Sequence, residues 1–197
     1  HKTMKNKTLW IVLGVVAVVV VWAVVSYNGL VTKQEKVSEA WANVDTVDQR
    51  RADLIPNLVA TVKGYATHEE QTLMAVTEAR AKSTSLNIDP TTATPEQMAE
   101  WTKTQNEVGS AIGRLIAISE SYPDLKANQN FMDLQKQLEG TENRISTERR
   151  EYNQQVRDFN ASIRRFPTNL IASMFGFEKM EMFEAQEGAE VAPVVAF

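Results

Sequence analysis

The chain has 197 residues, with 21 Lys and Arg against 25 Asp and Glu and no cysteine. That length suits one domain with a genuine core, and the missing thiols exclude a disulfide framework and any thiolate metal site. The acidic balance gives no reason to expect nucleic acid, whose backbone is bound through concentrated Lys and Arg. Arg50-Arg51, Arg149-Arg150 and Arg164-Arg165 are short pairs, most with acidic neighbours, and read as helix-surface ion pairs.

Leu9 to Val25 carries no charge and follows Lys2, Lys5 and Lys7. The uncharged envelope runs from Thr8 to Thr32, long enough for a helix to cross roughly 30 Å of hydrocarbon. Trp10, Trp22 and Tyr27 lie near its two ends, where amphipathic rings favour the interface. We expect a transmembrane signal anchor over residues 9–27 behind a basic flank, residues 1–8. The alternatives are a cleaved signal peptide and a buried core helix. The first is disfavoured by the length of the apolar run and by the poor cleavage site at Ala23 and Val25. Three lysines before the span against Lys33 and Lys36 after it put the N-terminus in the cytoplasm and the larger domain outside. The part from Asn28 onward then holds 18 basic residues against 25 acidic ones, a net charge of −7.

Val37, Trp41, Val44, Ile55, Leu58 and Val62 recur at 3-4 spacing, the apolar stripe of an amphipathic helix close to a coiled-coil seam, with Asp48 and Arg51 in the two missing positions. This helix can continue the membrane span as one rod. Pro56, with no N–H to give to residue 52, is expected to kink or divide it. Gly64 marks a turn, and a second helix from His68 through Lys82 rests on Leu73 and Val76. Ser83 to Pro95 has no helical rhythm and reads as an exposed loop.

Thr94-Pro95-Glu96-Gln97 restarts the helix with a cap, a first-turn proline and a capping-box glutamine. The third face follows through Met98, Trp101, Val108, Ile112, Leu115 and Tyr122, and Pro123 ends it. A fourth helix starts between Ala127 and Phe131. Its seam is Phe131, Leu134, Leu138, Ile145, Tyr152, Val156, Phe159, Ile163 and Phe166, with Thr141 and Glu148 in the polar gaps and Pro167 closing it. The fold class is therefore all-α: a transmembrane helix, then an antiparallel up-and-down bundle over residues 28–177 with a short C-terminal helical cap, and an acidic, apolar tail over residues 178–197.

Asp48, Arg51 and Glu148 interrupt apolar seams and predict an interhelical ionic layer that sets register. The bland alternative leaves them wet where the helices splay; a third makes them a ligand cleft. Gly109 and Gly113, four apart on one helix, predict a close helix approach, in the bundle or between chains, the alternative being no special role. Phe175, Phe177, Met180, Met182 and Phe183 form an apolar thread among glutamates, which predicts a cap on the bundle, a self-association surface or a groove-binding segment. Attachment of this thread to a membrane is disfavoured, because anionic lipid repels its glutamates.

The chemistry inventory is thin. His68, beside Glu69 and Glu70, has no HExxH spacing, and no GxSxG or phosphate-cradling glycine loop occurs. No catalytic, cofactor-binding or metal residue is assigned, and no cofactor is expected.

Several segments in order resemble the LemA family of bacterial membrane proteins. They are Arg50 to Val59, Gly64-Tyr65, Thr77 to Lys82, Tyr122 to Asn128, Leu138 to Ile145 and Phe166 to Ala172. The similarity extends to Phe177 and fades in the acidic stretch beyond. The resemblance implies an antiparallel helical bundle behind an N-terminal span and carries no catalytic residue with it. The expected function is a non-enzymatic, membrane-anchored scaffold or adaptor in the bacterial envelope, held by the lipid bilayer, homo-oligomeric and with an envelope protein as a further partner. An extracytoplasmic ligand-binding module is the alternative, and a membrane-associated hydrolase the third reading.

Overall fold

The computed structural model describes residues 2–184, with side chains from residue 6 onward. Among the described residues six α-helices follow one another: α1 (Lys2–Lys63), α2 (Glu70–Ser85), α3 (Pro95–Ile118), α4 (Pro123–Lys126), α5 (Gln129–Arg164) and α6 (Thr168–Phe175). A 3₁₀ turn, Ser119–Ser121, joins α3 to α4. No strand occurs among the described residues. The fold is all-α, an N-terminal apolar helix long enough to cross a membrane followed by a helical bundle.

At 62 residues, α1 is about 93 Å long at 1.5 Å per residue. The span and the first bundle helix are one rod, and Pro56 lies inside it without dividing it. The cause is local. Pro56 is exposed, and the Ala52 carbonyl it cannot bond accepts a hydrogen bond from Arg80 Nε on α2 at 3.0 Å.

The capping box forms as its residues require: Gln97 N–H donates to Thr94 Oγ1 at 3.2 Å, and Thr94 N–H donates to Gln97 Oε1 at 3.0 Å. Asn128 caps α5 by accepting from the Phe131 N–H at 3.0 Å. α3 stops at Ile118, before the expected stop at Tyr122; Pro123 opens α4 instead, at a position where no N–H is needed.

α5 packs along α1 and α2 along α3. α5 runs back along α1, because Tyr65 OH accepts from Asn128 Nδ2, Arg51 meets Glu142, and Lys33 donates to Ser162. The core is split. A cluster far from the apolar N-terminal segment joins Ile55, Leu58 and Val62 to Leu73, Val76, Leu115, Phe131 and Leu134. A second, nearer the span, joins Val37, Trp41 and Val44 to Trp101, Tyr152, Val156 and Phe159. A small third cluster, Leu30, Ile171 and Ala172, fixes α6 against α1. Phe166, expected on the α5 seam, is 79% exposed, because α5 ends at Arg164 and the chain turns away at Pro167.

Candidate functional site

A polar layer fills the gap between the two main clusters. Arg51 is 2% and Asp48 3% exposed. The Arg51 guanidinium donates through Nη2 to the Gln105 carbonyl at 2.6 Å and through Nη1 to Glu142 Oε1 at 2.7 Å. Asp48 Oδ1 lies 3.6 Å from Arg51 Nη2, an ion pair too long to be a hydrogen bond. Arg149 reaches Asn106 Oδ1 from its Nη1 at 3.2 Å. Both Asp48 oxygens, Arg51 Nε, Thr104 Oγ1 and Arg149 Nε are buried with no hydrogen-bond partner among the described residues.

Burial dominates the electrostatics. It pushes the Asp48 carboxyl up to about 6, against the pull of Arg51 and Arg149 and with help from Asp45 and Glu142. Burial also lowers the Arg149 guanidinium, an effect that Asp48 opposes and Arg51 adds to. Four guanidinium groups (Arg51, Arg149, Arg150 and Arg157) line a half-open cleft of about 610 Å³ beside this layer.

Glu148, expected in the layer, is not in it. Its carboxylate pairs with Arg144 one turn back on α5, at 3.3 Å, while Glu142 takes the place opposite Arg51. The 3-4 alternation from Leu138 to Tyr152 admits two phases, through 141 and 148 or through 142 and 149, and the helix uses the second for its charges. Spacing alone cannot choose between them.

The glycine pair also differs from the expectation. A Cβ on Gly109 would sit 3.1 Å from Arg51 Nη1, whereas one on Gly113 would meet nothing within 4 Å. Gly109 makes room for a side chain, not for a neighbouring backbone, and Gly113 faces open space.

After α6 the chain reverses at Gly176, whose φ of 71° is left-handed, a conformation glycine adopts without a Cβ clash. The following segment returns along α5 as an extended strap. Asn160 brackets Met180, accepting from its N–H at 2.9 Å and donating to its carbonyl at 3.0 Å. Asn153 brackets Phe183 in the same way, at 2.8 and 3.1 Å. Seven helical residues rise about 10.5 Å and three extended residues span about 10 Å, so the two clamps fall in register with residues 180 and 183. Tyr152 OH adds a bond to the Glu181 carbonyl at 3.1 Å, and burial first, then Glu181, raises its phenol well above the usual range.

The Phe183 ring enters an aromatic pocket, 5.1 Å from Tyr152 and 5.8 Å from each of Trp41 and Trp101, with the Arg149 guanidinium 5.2 Å above it. Met180 and Phe183 are buried, Phe177 packs against Tyr27 and Phe159, and Met182 stays 38% exposed. Phe175 is 57% exposed although its ring lies 4.9 Å from Tyr27. Sequence reasoning missed Asn153, Asn160, Glu142 and Arg149. The one available signal was the seven-residue repeat of asparagine, each one residue past a seam aromatic, Tyr152 and Phe159.

Among the described residues no group of three or more His, Asp or Glu side chains is arranged to hold a metal ion. His68 is exposed in the turn between α1 and α2, away from the polar layer.

The chain is 26% identical over 160 residues to "Protein LemA" of Metamycoplasma hominis, covering 81% of this chain and 69% of that one. It is 26% identical over 201 residues to "Magnetosome protein MamQ 2" of Paramagnetospirillum magneticum, covering 93% and 73%. It is 25% identical over 186 residues to "Magnetosome protein MamQ" of Magnetospirillum gryphiswaldense, covering 86% and 68%. The LemA family pattern matches residues 40–197, four-fifths of the sequence, so the chain belongs to the LemA family.

Proposed function

We propose that this protein is a non-enzymatic, single-pass scaffold or adaptor of the bacterial envelope, with its helical domain on the extracytoplasmic face. The observation that carries this reading is the continuity of α1: the apolar stretch and the first bundle helix are one unbroken helix from Lys2 to Lys63. A rod of that kind holds the bundle at a fixed attitude to the bilayer, a property useful for presenting a surface and of no direct use to catalysis. The polar inventory supports the same reading. Arg51, Asp48, Gln105 and Glu142 tie three helices together and set their register, and the two asparagines hold the strap.

The strap over residues 180–183 acts as an intramolecular cap that also contributes to self-association through the parts left exposed, Met182 foremost. Orientation follows from Lys2, Lys5 and Lys7 before the span against Lys33 and Lys36 after it.

One observation favours a second reading, an extracytoplasmic module that captures an anionic envelope component: a cleft of about 610 Å³ in which four arginines outnumber the two carboxylates, Glu142 and Glu184, in a domain of net negative charge. The two readings part on what travels with the protein. Purified from native membranes in mild detergent, a scaffold has a protein mass, corrected for bound detergent, well above its own 22.1 kDa because other protein chains accompany it. A monomer carrying only a small ligand would overturn the scaffold reading in favour of capture.

A further inference from the structure

We infer that α6, Thr168–Phe175, is an interfacial helix that lies in the headgroup boundary of the same bilayer that α1 crosses, so that the domain is seated on the lipid surface at two points. The occupant of its outer face is lipid. The inference rests on α1 spanning the membrane.

The position of α6 along α1 is the first ground. Its inner face, Ile171 and Ala172, packs on Leu30, and Trp22 and Ala23 border the same cluster. The Phe175 ring lies 4.9 Å and the Phe177 ring 5.7 Å from Tyr27. All these α1 residues belong to the uncharged envelope that ends at Thr32. The first charge past it, Lys33, bonds Ser162 near the end of α5, so α6 lies on the membrane side of that level. From Lys7 to Lys33 the helix rises about 39 Å, close to the roughly 40–45 Å of a bilayer with its headgroups. On that scale Leu30 falls at the outer edge of the roughly 30 Å hydrocarbon and Tyr27 about 4.5 Å inside it, with Trp22 deeper still. Interfacial helices sink about 5–10 Å at this depth.

The outer face is the second ground. Phe166 is 79%, Leu170 51%, Met174 74% and Phe175 57% exposed. Leu170 and Met174 are one helical turn apart on one face, and α6 contains no charged residue. A contiguous apolar face of this kind is not left in water. Charge is the third ground. Arg164 and Arg165, both exposed, precede Phe166 directly, placing two guanidinium groups where anionic headgroups attract them. Gly176 then turns the chain out of the boundary, and the glutamates of the strap leave with it toward the bundle. Their repulsion by lipid applies to the strap and not to α6.

The absence of cysteine from the chain makes the test clean. Single spin labels are placed by Met174→Cys on α6, Val16→Cys in mid-span and Met74→Cys on α2, the last a comparably exposed methionine far from the membrane. The full chain is reconstituted into phosphatidylcholine–phosphatidylglycerol nanodiscs, and accessibility to oxygen and to a water-soluble nickel chelate is measured. The oxygen-to-nickel ratio at 174 should exceed that at 74 several-fold and approach that at 16. A ratio at 174 equal to that at 74, with 16 reading as lipid, overturns the inference and leaves the anchor standing. Aqueous readings at all three overturn both. Protection of 174 from both reagents with dipolar broadening between labels would mean that a second copy, not lipid, covers α6, which also overturns it.

Discussion

The Nε of Arg80 on α2 donates to the Ala52 carbonyl on α1, 3.0 Å away, and that carbonyl is the one Pro56 leaves without a helical partner. A long-range side chain thus completes the ladder at the position where sequence rules expect a break. Arg80→Met should strand the carbonyl and cost about 1–2 kcal/mol in urea unfolding of residues 28–197. Pro56→Ala supplies an N–H for the same carbonyl, so in the Arg80→Met background it should recover most of the loss. Independent, additive effects would show that Arg80 does not serve Pro56.

The two glycines of α3 should respond oppositely. Gly113→Ala meets nothing within 4 Å and should stabilise by about 1 kcal/mol of helix propensity. At Gly109 the new methyl would press on Arg51 Nη1 at 3.1 Å, and that guanidinium is pinned by Gln105 and Glu142. Gly109→Ala should therefore bring no gain, or a loss, in the natural background. It should stabilise once Arg51→Met has freed the space. Arg51→Met itself should cost about 3–5 kcal/mol, since it leaves the Asp48 carboxylate buried and unpaired; a change below about 0.5 kcal/mol, typical of surface substitutions, would contradict a structural role for the layer.

Asp48 gives the domain a specific pH dependence. Burial raises its carboxyl from 3.8 to about 6 in the folded chain, while Arg51 and Arg149 attract its charge and Asp45 and Glu142 oppose it. The folded state therefore keeps this proton over a range in which the unfolded state has released it. The contribution is fully present below pH 3.8 and is lost as pH rises toward 6. Asp48→Asn should abolish it. The stability of the natural chain relative to the variant should fall across that window by on the order of 2–3 kcal/mol, at about 1.4 kcal/mol per unit, and stay level above it. A constant difference from pH 4 to 7 would mean that Asp48 titrates normally.

How much of this was legible in the sequence depended on which kind of force placed each residue. The apolar seams, the Thr94 capping box and the unbroken charge-free span were readable because local periodicity and local hydrogen bonding determine them. Glu148 was misplaced because two phases of one 3-4 alternation both look correct, and only the neighbouring helices select between Glu148 and Glu142. Pro56 was read by its intrinsic effect, which Arg80 offsets from 28 residues away. Asn153 and Asn160 leave only the weak signal of their seven-residue spacing, because their partner is backbone, which has the same donors and acceptors at every position. The Gly109 contact depends on where Arg51 ends, information that spacing does not hold.

The strap should behave as part of the fold. Asn153→Ala and Asn160→Ala each remove a two-bond clamp and should each cost about 1–2 kcal/mol. Phe183→Ala should cost about 3 kcal/mol, the low end for a buried phenylalanine, since a strap can lift away where a core helix cannot. Deleting residues 178–197 should lower stability equally at all protein concentrations if the strap caps its own bundle. A loss seen only at high concentration would mean that it joins chains instead. Unchanged stability and unchanged mass in sedimentation would rule out both roles.

Topology has its own readout. In spheroplasts an external protease should cut between α2 and α3, where Asn87 and Asp89 are exposed. Protection of that loop, while a known outer loop is cleaved, would place the domain in the cytoplasm.

The scaffold reading is tested most directly by a photo-activatable residue at Met182, which is 38% exposed on the strap and borders the groove formed with Pro95, Met98 and Thr102. Irradiated in living cells with the full chain at native abundance, the protein should yield discrete cross-linked species, with itself or with a recurrent envelope protein, across several growth conditions. Deleting residues 178–197 in the partner copy should remove the self-linked species if the strap carries self-association. Monomer alone under every condition, with the same residue cross-linking efficiently to its own chain, would contradict a scaffold that works through this surface.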